Sequence, residues 1–208
     1  MPTGKEYLAV GEYGPSYIHA ASLSKKFKKK EELLKKAISF NFPHANLYLG
    51  ALYEEKDKVQ EALECYEQAG YLGVPRGHIL LSQRLIGDQT LRYKTHDLTK
   101  ISREDLERSI AYLKKAGQAG DFEGWDQLLG LYRSLYEHYK NEEDFEQLLF
   151  ALEKGIQMGS SYAYRQTQSM FPSRYKKILS TYGSPCHENI LEYLSRKLKF
   201  DERGEEKS

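Results

Sequence analysis

Apolar positions fall at helical spacing along most of this 208-residue chain, and the stripes come in pairs separated by charged turns. Phe42-Pro43 opens one helix, with Pro43 at a first-turn position where its missing N–H costs nothing. Leu49, Leu52 and Tyr53 carry its stripe, and the charged stretch Glu54–Lys58 marks the turn that follows. Ala62, Leu63, Tyr66 and Ala69 form the stripe of a second helix. The scheme then repeats. Pro75 starts a helix carrying Ile79, Leu80, Leu81 and Leu85, and Ser102 with Asp105 forms a capping-box start for Leu106, Ile110, Leu113 and Ala116. Asp121 is the N-cap candidate for Trp125, Leu128, Leu129 and Tyr132. The next helix begins near Asn141, where Glu142, Glu143 and Asp144 complement its N-terminal dipole, and carries Leu148, Leu149 and Leu152.

One spacing punctuates these pairs four times: a small residue, a turn residue four later, and a small residue four later again. It reads Ala37–Asn41–Ala45, Ala69–Gly73–Gly77, Ala116–Gly120–Gly124 and Gly155–Gly159–Ala163, in frames 32, 47 and 39 residues apart. Glycine, with asparagine as its usual substitute, closes a helix in the left-handed conformation. Self-similarity at such a period predicts a solenoid of stacked helical hairpins, an architecture that presents binding surface. The third unit exceeds the first by seven residues, which predicts about one extra turn on each of its helices. The second exceeds it by fifteen, and these fall between its helices in an insertion over Gly87–Ile101. The ends read as caps: Tyr17, Ile18 and Ala21 with Leu23, then Leu33, Leu34 and Ala37 at one end, and a helix opened by Ser184-Pro185 at the other. The expected organisation is an N-terminal extension over 1–15, a repeat domain over 16–200 and a disordered tail over 201–208.

A net charge of +1 gives no global basic field, so no nucleic-acid partner is expected. No run of 18 apolar residues spans a membrane, and Met1–Ser16 lacks the apolar stretch of a signal peptide, which makes a cytoplasmic location the expectation. Cys65 and Cys186 lie 121 residues apart without a ligand cluster, and the six histidines form no metal-binding pair. No metal and no cofactor are expected. No nucleophile elbow, catalytic triad order or phosphate loop appears, so the chain reads as no enzyme.

The stretch ANLYLGALY (Ala45–Tyr53) followed by QEALECYEQAGYLG (Gln60–Gly73) resembles a Sel1-like repeat, a subfamily of the tetratricopeptide class. The positions that carry the likeness are Leu49-Gly50, Tyr53, Ala62, Tyr66 and Ala69, with Gly73 four residues on. It covers roughly Leu33–Phe171. In the second unit Ser82 stands where the first has Gly50, and Leu129 does in the third. The resemblance implies an all-α, right-handed α-solenoid of about four hairpins with helical caps. It also implies a non-catalytic protein–protein scaffold, in bacteria often with signalling or host-interaction roles. In such arrays the first helix of each unit lines the concave face. The implied inward positions are His44, Leu47 and Ala51, then Arg76, Ile79 and Gln83, then Glu123, Asp126 and Arg133, then Tyr162 and Arg165. This polar and apolar mix suits an extended peptide or a partner helix.

Three further features compete with that groove. The insertion carries Leu91, Tyr93, Leu98 and Ile101, too apolar for a purely solvated loop, and either packs on a neighbouring hairpin or presents a partner-binding knob. The seven lysines of Lys25–Lys36 read as a solvated helix face rather than an anion-binding patch, because Glu31 and Glu32 interrupt them and no arginine forks onto phosphate. Tyr112, Tyr132, Tyr136 and Tyr139 read as core rather than as a platform for bases. The acidic tail Asp201–Glu206 is similar to glutamate-rich C-terminal secretion signals, so the alternative reading is a bacterial effector or adaptor translocated into a host cell to bind a host protein.

Overall fold

The structure, a computed structural model, describes residues 14–87 and 101–170. The described residues are helical, without strands. The helices are α1 (Gly14–Leu23), α2 (Phe27–Ser39), α3 (Ala45–Glu54), α4 (Val59–Tyr71), α5 (Pro75–Leu85), α6 (Arg103–Gln118), α7 (Phe122–Tyr139), α8 (Glu142–Gln157) and α9 (Ser161–Met170). Residues 1–13, most of the insertion with Leu91 and Tyr93, the helix expected after Ser184-Pro185 and the tail 201–208 lie outside the described residues.

The chain divides into two compact units, and the boundary follows Asp121. In the first, α1 packs on α2, α3 on α4 and α5 on α6, and each hairpin meets the next through α2 with α3 and α4 with α5. The hairpin core runs from Tyr17 and Ala21 through Leu33, Leu34 and Ala37 to Leu49, Leu52, Tyr66 and Leu81. Two side-chain links cross between hairpins, a hydrogen bond and an ion pair. Tyr53 donates to Glu31 at 2.9 Å, and Arg84 clasps Glu54 through two nitrogens at 2.6 and 2.7 Å. In the second unit α7 packs on α8, and α9 lies against both.

The recurrent spacing is the joint between hairpins. Asn41, Gly73, Gly120 and Gly159 hold φ of 61°, 83°, 96° and 80°, and each donates its N–H to the carbonyl three residues back. The next residue donates to the first small residue of the spacing: Phe42 to Ala37, Val74 to Ala69, Asp121 to Ala116 and Ser160 to Gly155, at 2.9–3.2 Å. These two bonds satisfy carbonyls that a helix end leaves open. The last small residue starts the following helix. A Cβ on Gly77 would sit 2.3 Å from the Tyr66 carbonyl oxygen and 3.0 Å from Ala69 Cβ, and one on Gly155 would sit 2.7 Å from Ala163 Cβ. In these joints the two small residues let consecutive helices approach at backbone distance. Nothing lies within 4 Å of a Cβ on Gly73 or Gly120, so substitution there tests backbone strain alone. Gly73→Val and Gly120→Val are each expected to lose about 1–2 kcal/mol in urea unfolding. The exposed control Gln118→Val should lose less, and equal losses would show that the left-handed closure carries no weight.

Two expectations are corrected. Pro43 precedes its helix: α3 starts at Ala45, and Pro43 sits in a tight turn in which Ala45 and Asn46 donate to Phe42 and Pro43. The extra length of the third unit is also shared unequally. The first helix grows from 10 residues in α3 to 18 in α7, and the second from 13 in α4 to 16 in α8, because the connection shrinks from 55–58 to 140–141. Asn141 caps α8 as expected, accepting the Asp144 N–H at 2.7 Å. Pro75 occupies the first turn of α5.

Candidate functional site

The residues implied for the groove divide by environment. In the first unit His44 is exposed at the start of α3 with its ring 5.4 Å from Phe42, Leu47 packs partly against the hairpin core, and Arg76 is half-buried on α5. Ile79 is 0% exposed and Gln83 is buried, so their side chains face the interior of α5's packing. In the second unit Glu123 accepts from Gln127 at 3.0 Å, and Arg133 donates to Glu137 and to Gln166 of α9, each at 2.8 Å. Asp126, 1% exposed, accepts the Ser160 hydroxyl, whose oxygen in turn accepts the N–H groups of Tyr162 and Ala163. Asp126 therefore positions the start of α9 from within the core. Tyr162 is buried on α9, and Arg165 is exposed there. The surface chemistry of the first helices thus rests on His44, Arg76, Arg133 and Arg165 with partly buried Leu47 and Glu123.

The first unit also holds a slot of about 200 Å³ at α1, α2 and α3, lined by Ile18, Ala21, Leu34, Tyr48, Ala51 and Leu52, with Lys30 and Glu55 at its polar edge. Tyr48 is 53% exposed there. The sequence pattern did not single it out because it falls beside, not within, the Leu49–Leu52–Tyr53 stripe. The lysine run beside it is mixed. Lys29 and Lys36 pair with Glu32, and Lys35 with Glu31 at 2.7 Å, which holds the Glu31 carboxyl below the usual carboxylate range, with the Tyr53 hydroxyl adding to the effect. Among the described residues no carboxylate pairs with Lys25, Lys26, Lys28 or Lys30.

Of the tyrosines considered as a platform, Tyr132 is buried, Tyr112 stacks on His78 and Tyr136 lies 4.9 Å from the Phe145 ring, while Tyr139 is exposed. Burial pushes the Cys65 thiol up to about 11, so it carries little thiolate at neutral pH. Among the described residues no three His, Cys, Asp or Glu side chains are placed to hold a metal ion, and no helix is long and apolar enough to cross a membrane.

His78 is the titratable group with the clearest physical consequence. Its ring is wedged against Gly70, where a Cβ would come within 2.5 Å of it, and stacks on Tyr112 at 5.6 Å. Its buried Nδ1 meets no hydrogen-bond partner among the described residues. Desolvation first, and then Lys115 of α6, lower its pKa from 6.5, against an opposing pull from Glu67 of α4. The unfolded chain therefore takes up this proton at higher pH than the folded one. Stability is full above the ordinary histidine value and falls as pH drops below it, until the folded imidazole also protonates. His78→Gln is expected to flatten this part of the urea-midpoint profile between neutral and mildly acidic pH. An unchanged slope would remove His78 as its source.

No family model matches the sequence, and no curated protein matches it. Among solved structures the chain is similar to the crystal structure of a Sel1 repeat protein from Oxalobacter formigenes, with a TM-score of 0.52 and 19% identity, covering 88% of this chain and 70% of that one. The paired helices described above are accordingly those of an all-α chain with the Sel1-repeat fold.

Proposed function

We propose that the protein is a non-catalytic scaffold that binds another protein through the exposed surface of the first helices of its hairpins. The observation that supports this most directly is the repeated joint. At Ala69–Gly77 and Gly155–Ala163 it holds the following first helix, α5 or α9, by backbone bonds and close small-residue contacts, while His44 and Arg165 stand exposed on first helices. Rigid helices bearing mixed polar and apolar side chains suit recognition of a peptide or helix, because little ordering is needed on binding.

Photo-crosslinking residues placed singly at His44, Arg76 and Arg165 test this, with Gln60 and Gln157 on second helices as comparison positions. In an extract of the native host, the first-helix positions are expected to capture one common protein, identified by mass spectrometry, and the second-helix positions are not. Capture from the second helices alone would sink the reading.

A further inference from the structure

We propose that the slot at α1, α2 and α3, continued by Lys25 and Lys26 of the α1–α2 turn, docks a short acidic protein segment through one bulky apolar side chain. This rests on the scaffold reading and names the chemistry of one partner. The slot offers about 200 Å³ among Ile18, Leu34, Tyr48 and Ala51. A cavity of about 150 Å³ already accepts benzene, so one aromatic or branched aliphatic side chain fits. An exposed tyrosine beside such a concavity is the kind of side chain that anchors protein interfaces.

The charge beside the slot is asymmetric. Lys30 lines it, Lys26 is the N-cap of the same helix, and Lys25 lies in the adjoining turn, while Glu55 lines the slot as well. None of these four side chains forms an ion pair with another described residue. The first turn of α2 carries no acidic residue, although that is where the helix dipole favours one, so no described carboxylate on that turn offsets these lysines. A segment with acidic residues on one side of its anchor satisfies Lys25, Lys26 and Lys30 and keeps them away from Glu55. The recessed apolar slot favours a protein side chain over a flat lipid surface, and lysines without arginine form a poor phosphate fork.

The test is fluorescence anisotropy with a short labelled peptide bearing one phenylalanine followed by a run of glutamates. Phenylalanine→serine and glutamate→glutamine versions of the peptide should each bind about tenfold more weakly, a loss of about 1.4 kcal/mol. The protein variants K26E/K30E and Tyr48→Ser should show the same loss at unchanged helicity, and the reversal K140E/K154E should show none. Equal binding of all three peptides, no binding of any, or unchanged binding by folded K26E/K30E and Tyr48→Ser would overturn the slot. If a protein variant misfolds, the peptide series still decides. Binding to phosphatidylserine vesicles without peptide binding would also overturn it, in favour of a lipid surface. First-helix crosslinks that persist in the slot variants would leave the scaffold reading standing with the slot wrong, whereas peptide binding without such crosslinks would do the reverse.

Discussion

Trp125→Ala is expected to lower unfolding stability by about 3–5 kcal/mol, the range for deleting a large aromatic side chain from a packed interior. Trp125 is 4% exposed on α7 and meets the Phe150 ring of α8 edge-on, with centroids 5.8 Å apart at 82°. Deleting the indole removes dispersion contacts and opens a cavity that α7 cannot close, since Leu128, Leu129 and Tyr132 on the same helix are themselves buried. Phe150→Ala removes the edge contact while leaving the indole in place, and should cost less because Phe150 is partly exposed. The indole is the chain's single tryptophan, so native emission reports on this site alone. Emission typical of water-exposed indole, or a loss below about 1 kcal/mol, would mean that the side chain is not core.

Gly77→Val is expected to cost roughly 3 kcal/mol or more, at or above the usual range for overpacking. The atoms that a Cβ would meet are the Tyr66 carbonyl oxygen at 2.3 Å and the Gly70 nitrogen at 2.6 Å, both backbone, so no side-chain rotation relieves the clash. α5 must retreat from α4, which loosens the buried core that Leu81 shares with Ala62 and Tyr66. Gly73→Val, four residues earlier, strains φ without a clash and should lose less. Urea unfolding of the two variants side by side checks the order, and a Gly73→Val loss equal to or larger than that of Gly77→Val would mean that the joint is held by its left-handed turn and not by helix contact.

The joints were readable because their chemistry is local. A left-handed residue and two small neighbours within nine positions define them, and all four frames place a positive φ where the spacing put it. The paired stripes and the Asn141 cap were readable for the same reason. Lengths were not: whether seven extra residues lengthen one helix or two depends on the connection, and the Lys140–Asn141 turn is shorter than its counterpart at 55–58. The site was harder still. Positions taken from the repeat pattern point toward a groove only if nothing else packs there, yet Ile79 fills the interior and Asp126 is spent on Ser160. Tyr48 was missed because α2 and α3 bring it beside Lys30, and no periodicity within one helix records that proximity.

The left-handed joint has a consequence for how such a chain can change length. Its hydrogen bonds begin and end within six residues, and its tightest contacts fall within Tyr66–Gly77 and Gly155–Ala163. A segment copied from one left-handed residue to the next carries a complete closing sequence with it, so a duplicated hairpin finds the same junction at both ends. Copy number in this architecture can therefore drift by recombination between joints while the joint chemistry stays fixed.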